Sequence, residues 1–512
     1  MGLFIRRVKT KSQATAVQVV HQDRGRRKIV KHLGSAHDEA ALALLEAQAA
    51  EHIEQLRGGA QQSFDFTGAS SSVSSPVVQG AGSRARVLWE VLNAVYERIG
   101  FDAVDSEVFR ALVIARLIRP ASKLKSLEVL ERLRIGKVPS YATVKRHLAK
   151  ADQQDWRDTV CQAAYRFAAG DGAVSVVMYD VTTLYWEADS DEHDQFRRVG
   201  YSKERRVDPQ ILVGLLVDRR GFPLEVHTFR GNAAETATII PVLDSFRARH
   251  QVEHMVVVAD AAMLSEANVK ALDEAGYGFI IANRVGKMPH GLMTKIDAEG
   301  NNFADGQTFT VEEKIRKNSS RAWRTVYHFS WKRYYRDQQN LNKQAQRAWD
   351  QADGRRPVKR DRFVKVSAAN VSVNEDQLAT ARKLQGIKGY VTNIGTEVLS
   401  ESEIVGAYHQ LFEVEASFRI AKHDLAARPI FHRKEDMIEA HLTIVFAALG
   451  IARHIQQATG LSIERVIDEL EPLADPILEI NGTQHTYPAK LTDTATHIVN
   501  ALGLTRNLIT GH

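Results

Sequence analysis

The chain has 512 residues and a mass of 57.2 kDa, with 44% hydrophobic and 25% charged side chains, a balance that excludes disordered and fibrous proteins and suits about three domains. The apolar run 442–452 is broken by Thr443 and closed by Arg453, short of the ~18 residues of a membrane span. A single cysteine, Cys161, excludes an intrachain disulfide and a cysteine-clustered zinc site.

Residues 4–33 alternate and turn at Asp23-Arg24-Gly25, predicting a small β unit, and the Ala, Leu and Glu-rich stretch 38–57 predicts a helix. These make a basic module over 1–57. No apolar segment follows Arg6 and Arg7, so a secretion signal is missing and a cytoplasmic protein without a membrane partner is expected. Residues 58–83, with Gly58-Gly59 and the serines of 70–75, lack core formers and read as a linker. Helices dominate 84–170, broken near Gly100, Pro120 and Gly136. Within them, 140–148 resembles the start of a DNA recognition helix, with Ser140 as cap and Lys145 and Arg146 facing outward.

From Gly172 β-branched runs and tight turns take over. Residues 174–179 predict a strand closed by Asp180, and 211–217 with 222–229 predict a hairpin about Asp218 to Gly221. A helix over 234–249, a strand over 255–259 closed by Asp260, a helix over 265–275 and a strand over 277–282 follow. This is an α/β pattern with a sheet of mixed strand directions. A basic segment occupies 285–385, helical in its middle, before a short strand near 390–394 and long helices over 401–425 and 435–458. Residues 171–284 and 386–460 therefore form one sheet domain interrupted by an insertion, and 461–512 a C-terminal region.

The charge is unevenly placed. Residues 1–32 carry nine Lys or Arg against Asp23, and residues 314–365 carry sixteen against four Asp, so the net +6 is the sum of +20 here and about −14 elsewhere. Two basic surfaces point to a polyanionic partner. The first holds Arg24, Arg26, Arg27 and Lys28; the second holds Arg333 among eight aromatics that include Trp323 and Trp331. Basic side chains neutralise phosphates and aromatic faces stack on exposed bases, which suits DNA with distorted nucleotides. A solvated basic face over its own small aromatic core is the plainer alternative.

If the strands ending at Asp180 and Asp260 are parallel neighbours, their carboxylates meet at one sheet end, where open α/β sheets place their chemistry. Such a pair needs a cation between its members, and hard oxygens select Mg²⁺ or Mn²⁺. The helix over 401–425 supplies a third acid. Glu415 lies about 80° from the centre of its apolar stripe and Glu413 about 120°, so Glu413 is expected further towards solvent. Tyr408, Glu415 and Lys422, seven apart, are expected on one face, with Arg419 beside them to engage phosphate. Asp189, Asp191, Glu192 and Asp194 read as a solvated loop, and His432 and His441, nine apart, match no zinc spacing.

These residues resemble the DDE transposases of bacterial insertion sequences, of the group-four type. The resemblance is carried by Tyr179-Asp180-Val181-Thr182-Thr183, by Gly200-Tyr201-Ser202-Lys203, by Phe229-Arg230-Gly231-Asn232 with Glu235-Thr236, and by Val258-Ala259-Asp260. It continues in a Tyr, Arg, Glu, Lys signature that here reads Tyr408, Leu411, Glu415, Lys422, with Leu411 standing where the signature has Arg. It implies an RNase H-like catalytic domain with an insertion subdomain, and two divalent ions, both bridged by Asp180, with Asp260 and Glu415 holding one each. It implies a transposase that binds terminal inverted repeats, cleaves DNA and transfers the strand to a target, acting as a homodimer on double-stranded DNA, with Lys203 among the DNA contacts. The alternatives are a catalytically inactive DNA-binding derivative and a standalone RNase H-like nuclease.

Overall fold

The computed structural model describes residues 2–9, 15–23, 26–36 and 78–504, apart from 135–137, 152, 171–173, 187–193, 195, 201–207, 253, 284–289, 301, 316–318, 320, 360, 368–369, 429, 431 and 433, together with Leu42, Leu45, Ala49 and Ile53. The chain divides into two compact units, Met1–Pro76 and Val77–His512. In the first, strands β1 (Gly2–Lys9), β2 (Thr15–Asp23) and β3 (Arg26–Ala36) form an antiparallel meander. The alternating Val17 and Val19 face Ala49 and Ile53, whose helical spacing presents one apolar side to the sheet.

The second unit opens with strand β4 (Val78–Arg84), at the end of what the composition suggests is linker. The strand exists because a distant segment pairs with it: β15 (Asp475–Ile480) runs antiparallel to β4 on one side and to β16 (Thr483–Thr486) on the other. The Arg86 Nε to Asp475 Oδ2 ion pair, 2.6 Å and largely buried, fastens the two ends. Helices α1 (Arg86–Ile99), α2 (Glu107–Ile118), α3 (Lys123–Leu133), α4 (Tyr141–Leu148) and α5 (Trp156–Ala169) follow. Ser106, Ser122 and Ser140 cap α2, α3 and α4 by accepting from the third backbone N–H of each.

An eight-stranded mixed sheet lies at the centre, in the order β10-β11-β14-β9-β8-β5-β6-β7. Its strands are β5 (Val176–Tyr185), β6 (Gln210–Val217), β7 (Pro223–Arg230), β8 (Val256–Ala259), β9 (Gly278–Asn283), β10 (Thr308–Glu313), β11 (Trp323–Phe329) and β14 (Ile387–Thr392). β5, β8 and β9 are mutually parallel, and the remaining neighbours are antiparallel. Helices α6 (Ile239–His250), α7 (Glu266–Glu274) and α8 (His290–Glu299) alternate with these strands. β10 and β11 lie within the basic segment, so part of that segment extends the central sheet. Burial on both faces makes this favourable, with Trp323 and Val326 in the main core and Tyr327 and Phe329 in a second one.

The rest of the segment builds a small core of its own. Helix α9 (Trp331–Ala352) packs Leu341, Ala345 and Ala348 against Phe363, Leu378 and Ala381, which belong to β12 (Val364–Val366), β13 (Val371–Val373), α10 (Glu375–Lys383) and their flanks. The helix expected over 401–425 is instead α11 (Glu401–His409), α12 (Phe412–Arg419) and a π-helical turn over Ile420–Asp424. The break lets α11 lie across β8 to β11 while α12 crosses β5 and β6. Helix α13 (Glu435–Thr459) is long and apolar enough to cross a membrane, yet 89% of its most apolar window is buried in this protein, against α1, α2 and α5. It reads as a core helix, followed by α14 (Ile463–Leu470).

Candidate active site

The register of the central sheet brings two acids together. β5 and β8 pair from Val176 with Val256 to Tyr179 with Ala259, so Asp180 and Asp260 stand one step beyond the last pair, on strands ~4.8 Å apart. Asp260 closes β8 and folds into a turn, its Oδ1 accepting from the Ala262 N–H at 2.7 Å. Asp180 does not close its strand. β5 runs on to Tyr185 because β6 pairs with it throughout, from Met178 with Val217 to Tyr185 with Gln210. Tyr179, on the opposite face, is buried and donates to Thr238 Oγ1 at 2.8 Å.

A cavity of about 560 Å³ opens beside this sheet end, lined by Asp260, Asn283, Arg333, Lys388, Tyr408 and Glu415 among others. Glu415 is exposed and forms no hydrogen bond or ion pair with another described residue. Glu413 is the better buried of the two glutamates, a correction to the helical-wheel reading. Its carboxylate meets the buried Arg453 of α13, which also donates to the Arg220 and Gly221 carbonyls. The wheel assumed a continuous helix and had no knowledge of α13. Gly221, at φ 77°, holds a backbone conformation that other residues rarely adopt, and a Cβ there would displace the Arg453 guanidinium. Ser417 Oγ donates to the same Gly221 carbonyl at 2.7 Å, so the β6–β7 turn is tied to α12 and holds the helix that carries Glu415.

Tyr408 lines the cavity together with Asp260 and Glu415. Its phenol is pushed above its ordinary value by burial first, then by Asp260, Tyr390, Glu415 and Asp180. All three carboxylates therefore act on one hydroxyl. Lys388, which the sequence reading passes over, lies with its Nζ 4.1 Å from the Tyr408 ring centroid. Burial, then the charges of Arg333 and Arg336, bring its ammonium down to about 8, against the opposing pull of Asp260 and Glu415. A lysine inside the apolar run of β14 is the one local signal that could have flagged it.

The other expected contacts are distributed differently. Arg333 lines the cavity and pairs with Asp337 at 3.3 Å. Trp331 is 42% exposed, but Trp323 is buried edge-on against Phe279 at 5.5 Å and cannot stack on a base. Its place in β11 puts it in the sheet core. Arg419 is exposed. Lys422 does not share the cavity with Tyr408 and Glu415: the break after α11 and the π-helical turn carry it to an apolar crevice beside Thr182 and Leu184. Leu411 is buried between α11 and α12, so no phosphate contact can start from that position. Arg24 and Lys203 lie outside the described residues, and of Arg26, Arg27 and Lys28 the structure describes the β3 backbone alone. Asp194 is no solvated loop acid; it accepts from the backbone N–H groups of Phe196 and Arg197, both at 2.9 Å.

Among the described residues, no three His, Cys, Asp or Glu side chains lie close enough to hold a metal ion as they stand. The chemistry of the donors still fits one. Asp260 and Glu415 are hard oxygen donors lining one cavity, Asp180 stands on the strand beside Asp260, and Glu415 has no competing partner among the described residues.

The transposase DDE domain family model matches residues 173–451, a span that holds all three acids. No functionally curated protein matches the chain. Among solved structures, the chain is similar to a piggyBac transposase synaptic complex with hairpin DNA, at 9% identity and a TM-score of 0.34, covering 83% of this chain and 71% of that one. It is also similar to a Mos1 transposase paired-end complex with the left transposon end, at 13% identity and a TM-score of 0.16, covering 47% and 71%. A pre-cleavage Mos1 transpososome gives 12% identity and a TM-score of 0.15, covering 47% and 72%. The domain match spans more than half of the chain, and on it the protein belongs to the transposase DDE domain family.

Proposed function

We propose that this protein binds the terminal inverted repeats of a bacterial insertion sequence of the group-four type and catalyses metal-dependent strand cleavage and strand transfer on an RNase H-like domain. The observation that carries the reading is the register that sets Asp180 and Asp260 side by side on β5 and β8, with Asp260 and Glu415 lining a cavity that also presents Arg333 and Lys388. The family typically uses divalent metal ions. Asp180, Asp260 and Glu415 would hold them, two of Mg²⁺ or Mn²⁺, and when bound they supply activation of the attacking oxygen and stabilisation of the leaving one.

The chain's own residues do the positioning. Arg333 and Lys388 line the same cavity as Asp260 and Glu415 and hold a scissile phosphate by charge. Tyr408, kept protonated, donates its hydroxyl proton to a phosphate or carboxylate oxygen. Trp331 and the exposed cations of α9 extend the DNA track beyond the cavity, and the β3 cations add a second one. The reaction takes place on double-stranded DNA in a homodimeric complex, in the cytoplasm.

The test uses purified full-length protein and DNA carrying the ends of the element. Asp180→Ala and Asp260→Ala should each abolish cleavage in Mg²⁺ and leave end binding within a few-fold of wild type. Cleavage surviving in either variant would show that the acids were wrongly chosen, and loss of binding would show that they shape the DNA surface instead. Short inverted repeats bracketed by a direct duplication in the DNA around the gene would separate an insertion-sequence transposase from a standalone nuclease.

A further inference from the structure

A second hollow, of about 400 Å³, lies between α2, the start of α3, the start of α4 and the approach to α13. Its wall is cationic. Arg116 of α2 is 4% exposed and Lys123, the first residue of α3, is 7% exposed. Neither forms an ion pair with a described acid. Lys123 Nζ lies 2.9 Å from His441 Nδ1. Arg116 Nη1 reaches the Leu425 and Ala426 carbonyls at 3.5 Å, and Arg116 Nε has no hydrogen-bond partner. Arg428 and His432 add to the wall.

Burying charge without a counter-charge is costly, and the cost is visible throughout the cluster. Burial and then the charge of Arg116 hold the Lys123 ammonium well below its ordinary value. Burial, followed by Lys123 and Arg116, does the same to His441 and brings His432 down to about 4. The backbone adds to the positive potential. Ser122, Lys123 and Leu124 line the hollow, so the N-terminal end of the eleven-residue α3 points into it. Leu124 and Tyr141, 52% and 41% exposed, stand at the rim and leave it open to solvent.

We propose that this hollow is a binding site for a phosphate-class oxyanion, held by Arg116 and Lys123 at the N-terminus of α3. It shares no lining residue with the catalytic cavity and does not rest on the transposase reading. Its place suggests two sources for the anion. The Arg428 guanidinium lies 5.4 Å from the Tyr185 ring centroid, and Tyr185 is ~17 Å along β5 from Asp180 at the rise of a strand. A backbone phosphate of bound DNA and a free phosphate offer the same oxygens to it.

Thermal unfolding of the full chain, with inorganic phosphate exchanged for chloride at constant ionic strength, tests the proposal. Phosphate should raise the wild-type Tm by roughly 2 °C or more and leave Lys123→Met unmoved. Without phosphate, Lys123→Met should be at least as stable as wild type, since it removes a buried unpaired charge. Arg116→Lys, which keeps charge but loses the fork, should show a reduced shift. If DNA supplies the anion, duplex DNA should compete away the shift, and the salt slope of DNA binding should fall by about 0.9 in Lys123→Met. If free phosphate is the ligand, the slope stays the same and the shift persists with DNA bound. A phosphate shift that survives in both variants, or no wild-type shift with an unchanged salt slope, overturns the proposal. Marked destabilisation of Lys123→Met without any phosphate effect also overturns it, and would mean that Lys123 serves the fold and not a ligand.

Discussion

Glu415 has no described partner, so Glu415→Gln should leave the unfolding free energy within about 0.5 kcal/mol of wild type while cleavage falls by orders of magnitude. Glu413→Gln weakens the counter-charge of the buried Arg453 and should cost about 1–2 kcal/mol. Thermal or denaturant unfolding alongside a cleavage assay checks both, and a Glu415→Gln variant that unfolds early but still cleaves would remove that residue from the chemistry. Part of this site is legible in the sequence. Asp180 and Asp260 each follow an apolar β-branched run, a local signature that needs no partner to be seen. The strand beyond Asp180 is harder to see, since the acid looks like a terminator and only pairing with β6 carries the strand on to Tyr185. The contrast between the two glutamates depends on Arg453, forty residues away in the chain, and Lys388 becomes notable only beside Arg333 and Tyr408. Contacts of that range leave no trace in local spacing.

Between elements, the clearest charged joint is Glu225. This β7 residue is fully buried, with His227 Nε2 at 2.9 Å, an Arg249 ion pair and His250 at 3.6 Å. Burial alone would raise its carboxyl, but His227, His250 and Arg249 outweigh it and bring the value down from 4.5 to about 2. The sign follows from the depressed value: the carboxylate contributes stability above the unfolded value of 4.5, and loses it as pH falls from about 5 through about 2. The full contribution is about 3 kcal/mol. Glu225→Gln should therefore be less stable at pH 7 and should flatten the acid limb of a plot of stability against pH; an unchanged limb would place the acid sensitivity elsewhere. Arg249 also pairs with Asp158 of α5 at 2.7 Å, so the joint ties β7 to α6 and α5. Period-two and capping signals reveal these elements one by one, as the β6–β7 hairpin and the Ser140 cap illustrate. They do not reveal that β10 and β11 continue the main sheet, because the register with β14 is set across nearly sixty residues of intervening chain.

At the scale of the molecule, both basic regions are expected to neutralise DNA phosphates. Neutralising Arg24, Arg26, Arg27 and Lys28 together should reduce the slope of log affinity against log salt by about 0.9 for each phosphate these cations would otherwise engage. An unchanged slope would take the N-terminal unit out of the DNA interface. In the second region Asp337, Asp350 and Asp353 are each paired with a neighbouring Arg, which still leaves a surplus of twelve cations over 314–365.

The pairing of β4 with β15 also governs when the protein becomes whole. Arg86 and Asp475 are 389 residues apart, so during synthesis the N-terminal edge of the second unit waits, with its ladder groups unpaired, until nearly all of the chain has left the ribosome. Loop closure over that length is slow, and a nascent chain in this state is open to aggregation and to holdase chaperones. A nonsense mutation after α13 would leave all three acids in the chain and yet remove the strand that closes this sheet. Such a product is expected to be cleared by proteolysis, which would make the completed C-terminal fold a checkpoint on a protein that cuts DNA.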